Sequence, residues 1–243
     1  MMIDGNRRWA RQLGYDSAAH GHHRAGAAKM HEFLRWCDDL GIEVVSLYLL
    51  SNDNLVKRDS KELQDLLEII AELAGELSHE PDWRVKHVGR AEGCRRSSPR
   101  CCTRPRTRTR GHKGLHVNLA VGYGGRARSW MPCARSSSST TSRAGPSKSS
   151  PTSLTPEQIG EHLYTGGQAD PDLVIRTSGE QRLSDFLLWQ SAHSEFYFVE
   201  ALGPDLREVD FLRAIRDFAW RAIAASASDA EPAARPRAVG IPD

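Results

Sequence analysis

The chain has 243 residues, a formal net charge of +2 and 39% hydrophobic residues, which fits one α/β domain, or at most two small ones. The charge is too small to attract nucleic acid, so nucleic acid is not an expected partner. No apolar run approaches the ~20 residues that span a bilayer, and no signal-peptide pattern opens the chain. We therefore expect a cytoplasmic protein with at most peripheral membrane association.

The first residues place polar and charged groups directly after a short apolar start. Met1-Met2-Ile3 are followed by Asp4, Gly5, Asn6, Arg7 and Arg8. This pattern predicts a strand that runs into a phosphate-binding turn, with Asp4 available to hold a metal. The alternative is a solvated tail, because DGN is also a common turn sequence.

Three histidines crowd the start of the next predicted helix. His20, His22 and His23 precede a helical repeat of apolar residues from Ala27 to Cys37, which stops at Gly41. An imidazole at this place could donate to a phosphate or bind zinc, and simple exposure to solvent is the third interpretation.

A buried parallel strand is predicted over Ile42–Leu50, a nearly continuous β-branched and apolar run. Short polar side chains follow it at Ser51, Asn52, Asp53 and Asn54. Open α/β sheets place their sites at this end of a strand, although an ordinary Asx turn fits equally well.

The later elements continue an alternation of helices and strands. A helix with an apolar stripe from Leu63 to Leu77, capped by Asp59, leads to a strand over Trp83–Gly89. A further strand is predicted from Leu115 to Val121, and Pro156 is predicted to open a helix. Towards the end we predict a strand over 194–198, a helix over 210–225 and a disordered tail over 226–243.

Cations and hydroxyls gather after another predicted strand, Asp172–Ile175. Arg176 follows it directly, Arg182 and Ser184 come next, and a helical-looking apolar run covers 186–189. Guanidinium groups and helix-start N–H groups suit a phosphate or a diphosphate. Pairing of the arginines with surface carboxylates is the alternative.

Alternating strands and helices predict an α/β fold with a mostly parallel central sheet flanked by helices. Two arginine- and serine-rich inserts, 93–110 and 127–153, contradict this pattern. They could be disordered loops or a nucleic-acid patch, but no aromatic residues interleave for base stacking. With GC-rich codons, the neighbouring reading frame of both inserts encodes amphipathic helices, so our hypothesis is that they are frame-shifted.

These motifs resemble the cis-prenyltransferases, the family of undecaprenyl diphosphate synthase and other Z-type isoprenyl diphosphate synthases. The resemblance rests on DGNRRWA, LSNDN, VNLAVGYGGR, DLVIRTSGEQRLSDFLLWQ and SEFYF, in the family's order and spacing. It implies a homodimer with a central parallel sheet, and one domain over 1–225. It also implies a Mg²⁺-dependent condensation of isopentenyl diphosphate with an allylic diphosphate, geranyl or farnesyl, that leaves a cis double bond.

The resemblance assigns roles residue by residue. Asp4 corresponds to the catalytic aspartate at the metal, Glu195 to the second metal carboxylate, and Asn54 to the asparagine assigned to proton removal. The allylic diphosphate and its pocket are assigned to Gly5, Asn6, Arg7, Arg8 and Trp9. The substrate loop corresponds to Ser51, Asn52, Asp53 and Leu55, and the isopentenyl diphosphate site to Arg176, Arg182, Leu183 and Ser184.

The chain also departs from the family pattern. The apolar start is short, so we expect a truncated first strand that holds Asp4 weakly. The family histidine can be His22 or His23, and a further family arginine is represented by Lys57 or Arg58. Asp185 is expected to weaken anion binding beside Ser184. Leu55 stands where long-chain members carry tryptophan, which resembles the short-chain actinobacterial branch with products near farnesyl length.

Two alternatives within the family are an inactive, damaged gene product and a non-catalytic partner subunit. A partner subunit would be expected to lack the aspartate that this chain has at position 4.

Overall fold

A parallel β-sheet forms the centre of the structure. The computed structural model describes residues 1–14, 21–57, 60–90, 109, 111–126 and 155–229. The strands are β1 (Val44–Ser51), β2 (Arg84–Val88), β3 (His116–Tyr123), β4 (Leu173–Arg176) and β5 (Glu195–Phe198). They pair in the orders β1-β3-β2 and β4-β5, and all of these pairings are parallel, as the sequence predicted.

The first three residues join the two parts of the sheet. The Met2 N–H donates to the Ile175 carbonyl at 2.8 Å, and the Thr177 N–H donates to the Met2 carbonyl at 3.1 Å. On the other side, the Tyr48 N–H donates to the Met1 carbonyl at 3.0 Å. Across the sheet, β2, β3 and β1 are therefore followed by the N-terminal residues and then by β4 and β5. The short first strand that we expected still reaches both neighbours.

Six α-helices accompany the sheet in the described part of the chain. They are α1 (Asn6–Gln12), α2 (Gly21–Asp39), α3 (Asn52–Lys57), α4 (Ser60–Leu77), α5 (Pro156–Glu161) and α6 (Glu208–Asp229). Among the described residues, no helix is both long and apolar enough to cross a membrane.

Most of the predicted helices are confirmed, with changed boundaries. The second begins at Gly21 rather than Ala27, so His22 and His23 lie in its first turn. The last runs to Asp229, so the first four residues of the predicted tail, 226–229, are helical. The rest of the tail, both inserts apart from Thr109, and the predicted cap Asp59 lie outside the described residues.

Two apolar clusters fill the space on the two faces of the sheet. The larger one holds residues of α2, α4 and α6 against β1 and β3, with Phe33 and Phe211 packed edge to face at 5.0 Å between ring centroids. The smaller one surrounds Tyr123 and Phe186, two fully buried aromatic side chains. The sheet is thus buried on both sides, as parallel sheets are.

The helix predicted over 186–189 is wrong. This segment forms a series of turns, and Ser184, Asp185 and Leu187 have φ values of 48°, 67° and 46°. A right-handed helix needs negative φ at every residue. Phe186 and Leu187 are buried in the smaller apolar cluster, whereas Leu188 and Trp189 are exposed. The apolar run in the sequence therefore reflects tertiary contacts of two residues and not the buried face of a helix.

Candidate active site

A cavity of about 790 Å³ opens at the carboxyl edge of the sheet. Its polar part is formed by residues that follow the N-terminal strand, β1 and β4. Its apolar part lies between β1, α2 and α4, and is lined by Ala27, Met30, Leu49, Leu50, Leu66, Ile69, Ile70 and Leu73. The cavity therefore combines a charged end with an apolar wall.

A hydrogen-bonded group of Asp4, Arg176 and Ser184 forms the base of the polar end. The buried Arg176 guanidinium donates from Nη2 to Asp4 Oδ2 at 2.6 Å and from Nη1 to Ser184 Oγ at 2.9 Å. Nη1 also contacts the Arg182 carbonyl. Asp4 Oδ1 accepts the Gly5 N–H at 2.7 Å. Residues 172 positions apart in the chain are thereby fixed together at the strand ends.

The turn after Asp4 depends on Gly5, whose φ is 95°. L-residues rarely adopt this conformation, and a side chain here would also approach Leu202 to 2.8 Å. The backbone of the N-terminal strand can therefore reverse at once into α1. This brings Asn6, Arg7 and Arg8 to the lining of the cavity.

Three further guanidiniums lie at the mouth of the cavity, and each has an acidic neighbour. Arg7 pairs with Glu62 at 3.1 Å, Arg182 pairs with Glu180 at 3.1 Å, and Arg8 lies 3.8 Å from Glu180. All three side chains are about half exposed or more. Exposed pairs of this kind contribute ~0.2–1 kcal/mol, so an anionic ligand can compete for these arginines.

The predicted substrate loop is helical rather than a simple turn. Ser51 Oγ accepts the Asn54 N–H at 3.0 Å, which caps the start of α3. Ser51, Asn52, Asp53 and Asn54 line the cavity, as does Lys57, which pairs with Asp53 at 3.0 Å. The loop therefore presents an amide and a salt bridge towards the same space as Asp4.

Several predicted residues lie elsewhere or outside the described side chains. The Trp9 Nε1–H donates to Asp205 at 2.8 Å, Leu55 packs against the larger apolar cluster, and the Leu183 carbonyl accepts the Phe186 N–H. Of the two histidines, His23 is buried in the cavity lining, 3.6 Å from Glu62. The His22 side chain and Arg58 lie outside the described part of the chain.

Glu195 does not lie beside Asp4 in one chain. It pairs with Leu173 at the amino end of β5, whereas Arg176 at the carboxyl end of β4 pairs with Met2, two residues before Asp4. Five residue steps along parallel strands place the backbones of the two residues about 16 Å apart in the strand direction. Glu195 instead pairs with Arg221 at 2.6 Å. A metal site shared by these two carboxylates therefore stays a prediction.

The structure adds site residues that the sequence did not single out. Thr177 Oγ1 accepts the Asp4 N–H at 2.7 Å, and the Ser178 carbonyl accepts Arg8 at 3.0 Å. Both belong to the hydroxyl-rich stretch after β4, which was a usable signal. Glu62 and Glu180 had no such signal, because acidic residues on exposed helices and turns are common.

Two tyrosines also line the cavity. They are Tyr48 and Tyr123, and their rings meet edge to face at 6.2 Å. Burial raises the pKa of Tyr123 to about 12, and burial also raises the pKa of Tyr48 well above its usual range. Both phenols therefore stay protonated at neutral pH and act as hydrogen-bond donors.

The sequence and the structure both match known proteins. The family model described as putative undecaprenyl diphosphate synthase matches residues 2–224. Isoprenyl transferase 2 of Tropheryma whipplei is 51% identical over 225 residues, covering 91% of this chain and 84% of that protein. The (2Z,6E)-farnesyl diphosphate synthase of Mycobacterium tuberculosis is 46% identical over 233 residues, with the same coverages of 91% and 84%.

A solved structure shows the same fold. The lavandulyl diphosphate synthase of Lavandula x intermedia, in complex with dimethylallyl diphosphate, superposes with a TM-score of 0.76 at 28% identity. The match covers 89% of this chain and 92% of that one. Together with the family model, these matches show that the chain belongs to the undecaprenyl diphosphate synthase family, the cis-prenyltransferases that its motifs resemble.

Proposed function

We propose that this chain condenses isopentenyl diphosphate with an allylic diphosphate, geranyl or farnesyl, to give a cis-prenyl diphosphate near farnesyl length. One observation carries the proposal: Asp4, Arg176 and Ser184 are held together at the charged end of a cavity whose other wall is apolar. A diphosphate with a prenyl tail has the same division into an anionic head and an apolar chain. The relatives named as isoprenyl transferases support the assignment.

The reaction breaks the allylic carbon–oxygen bond, and diphosphate leaves with the electron pair. The alkene of isopentenyl diphosphate supplies the electrons for the new carbon–carbon bond, and a proton is then lost to form the cis double bond. Arg7 and Arg8 place fixed positive charge where charge develops on the leaving diphosphate. Arg176, Arg182 and Ser184 orient the second diphosphate, so that its alkene meets the allylic carbon at near-attack distance.

The lost proton needs an acceptor near the substrate loop. Asn54 lines the cavity and can orient this proton, but an amide is a weak base. The departing diphosphate is the stronger acceptor, so we assign Asn54 to orientation. The apolar residues of α2 and α4 exclude water, which would otherwise capture the allylic cation.

Mg²⁺ fits the charged end through Asp4. The Asp4 side chain is 46% exposed, lines the cavity, and accepts only one identified hydrogen bond on each oxygen. Within the described residues there is no cluster of three or more acidic, histidine or cysteine ligands. A single carboxylate suits Mg²⁺, which takes its other ligands from phosphate oxygens and water. The ion would neutralise the charge of the leaving diphosphate.

We also propose that the protein acts in the cytoplasm as a homodimer. Val209, Leu212, Trp220 and Ile223 are all exposed on α6, and Trp220 and Ile223 are 65% and 66% exposed. Their spacing places them on one side of the helix, and exposed apolar patches often mark interfaces. Light scattering should give twice the chain mass for the wild type and a smaller mass for Trp220→Glu. A wild-type monomer would refute the dimer.

The decisive experiment incubates the purified chain with labelled isopentenyl diphosphate, Mg²⁺ and either geranyl or farnesyl diphosphate, and then sizes the products. We expect cis products with at least one primer and none without Mg²⁺. A chain that melts cooperatively but gives no product with either primer would instead be an inactive family member. A chain without a cooperative melt would be a damaged gene product.

A further inference from the structure

The turn that carries Ser184 has an unusual backbone. Ser184, Asp185 and Leu187 all have positive φ, and none of them is glycine. Such conformations are uncommon for residues with side chains, and they persist where surrounding contacts hold them. The turn at 184–187 therefore requires contacts from other parts of the chain.

Tyr48 of β1 contacts the turn in two ways. Its hydroxyl donates to the Ser184 carbonyl at 2.9 Å. Its ring stacks on the Phe186 ring, with 4.6 Å between centroids and 28° between planes. One side chain thus binds both the start and the middle of the strained segment.

The end of β3 holds the same turn from a second direction. The Gly125 N–H donates to the Asp185 carbonyl and the Arg126 N–H donates to the Asp185 carboxylate, both at 2.9 Å. A side chain at Gly125 would approach the Asp185 carbonyl to 2.8 Å, so glycine permits this contact. The Asp185 carboxylate, which we expected to weaken anion binding, is engaged by the backbone here.

The position of the Arg176 guanidinium depends on Ser184 in the turn and on Arg182 just before it. Ser184 Oγ and the Arg182 carbonyl both accept from Arg176 Nη1. The Arg176 side chain is only 4% exposed, so these acceptors and Asp4 control its position rather than solvent. A shift of Ser184 would therefore move the guanidinium.

We infer that Tyr48 is a positioning residue for the diphosphate site, because its hydroxyl and ring fix the 184–187 turn and, through it, Ser184 and Arg176. The inference rests on the proposed function, which assigns these two residues to isopentenyl diphosphate. Tyr48 carries no sequence signal of this role, since it lies within an apolar strand.

The test compares Tyr48→Phe, which keeps the ring stack and removes the hydroxyl, with Tyr48→Leu, which removes both. Tyr197→Phe on β5 is the matched control, because Tyr197 lies outside the cavity lining. The measurements are the KM for isopentenyl diphosphate, the KM for geranyl diphosphate, the Kd of inorganic pyrophosphate by calorimetry, and Tm.

We expect Tyr48→Phe to raise the KM for isopentenyl diphosphate about fivefold, the factor that corresponds to one ordinary hydrogen bond. The Kd of pyrophosphate should rise by a similar factor, and Tyr48→Leu should raise both further. The KM for geranyl diphosphate should change less than about twofold, and Tyr197→Phe should change none of these constants.

A merely structural tyrosine would lower Tm and total activity while leaving both KM values and the pyrophosphate Kd unchanged, and that result overturns the inference. If the wild type binds pyrophosphate but makes no product, the proposed function fails, and the ratio of pyrophosphate Kd values still decides the role of Tyr48. If the wild type does neither, both proposals are refuted.

Discussion

Replacing Asp4 by asparagine is the sharpest test of the charged end of the cavity. Each Asp4 oxygen accepts one hydrogen bond, from Gly5 N–H and from the Arg176 guanidinium respectively. An asparagine has only one acceptor oxygen, so its amide N–H₂ must face one of these two donors. The substitution keeps the shape of the side chain and removes its charge.

The cost in stability should be moderate. A hydrogen bond to a charged group is worth about 1.5–3 kcal/mol, and the lower end applies because the Asp4 side chain is 46% exposed. A loss of about 1.5 kcal/mol lowers Tm by roughly 3–6 °C in a domain of this size. With a starting stability of at least ~5 kcal/mol, more than about 99% of the variant stays folded.

The cost in activity should be much larger. Removing one preorganised electrostatic group typically lowers kcat about 10²–10³-fold. The assay is the initial rate of incorporation of labelled isopentenyl diphosphate with saturating geranyl diphosphate and Mg²⁺, alongside a thermal melt. Unfolding of the variant cannot explain a loss of this size.

Glu32→Gln is the matched control, since it makes the same change from carboxylate to amide on the exposed face of α2, where Glu32 pairs with Lys29. Its effect on stability should stay within about 0.5 kcal/mol, and its kcat should equal that of the wild type. An Asp4→Asn variant with kcat within about threefold of the wild type would remove Asp4 from the mechanism.

Three further predictions test other parts of the molecule. Arg176→Lys keeps the positive charge but loses the planar guanidinium. It should raise the KM for isopentenyl diphosphate at least about tenfold and the KM for geranyl diphosphate far less. Equal rises in the two KM values would contradict the assignment of Arg176 to isopentenyl diphosphate. Ile69→Trp should fill the apolar end of the cavity and lower kcat/KM for farnesyl relative to geranyl diphosphate about tenfold, whereas an unchanged ratio would place the prenyl chain elsewhere. The hydrogen bond with His31 lowers the pKa of Glu80 in the folded protein. The ionised Glu80 carboxylate therefore stabilises the fold above its pKa in the unfolded chain, about 4.3, and this contribution is lost as the pH falls through the lower pKa of the folded state. The Tm difference between wild type and Glu80→Gln should accordingly shrink below about pH 4, and a constant difference from pH 3 to 8 would contradict this.

The fold was predictable because its signals are local. The β-branched runs of β1 and β3 and the apolar stripes of α4 and α6 each carry their own periodicity. The gathering of Asp4, the loop after β1 and Arg176 was also predictable, because parallel strands end at one edge of the sheet.

The errors arose where tertiary contacts override local patterns. Phe186 is placed by stacking on Tyr48, and Leu187 has a positive φ angle, and sequence periodicity reports neither feature. Glu195 stands at the start of its strand rather than its end. Parallel pairing alone places it towards the edge opposite Asp4, so its prediction as a metal ligand rests on the motif resemblance.

The gene sequence would test the hypothesis that the two arginine- and serine-rich inserts are frame-shifted. Resequencing the gene should reveal a base inserted or deleted near each insert. One uninterrupted frame with the present codons would contradict the hypothesis.

Residues 1–3 lie between β1 and β4 and connect the two parts of the sheet. Among the described residues, Met1 and Met2 make the backbone hydrogen bonds that continue the sheet from β1, which carries part of the prenyl-chain wall, to β4, which carries Arg176. If this backbone pairing opens as a local fluctuation, the carboxylate of Asp4 leaves the Arg176 guanidinium. Amide exchange at Met2 and Thr177 should then be faster than at the centre of β3, and heat or denaturant should abolish turnover before the secondary structure melts.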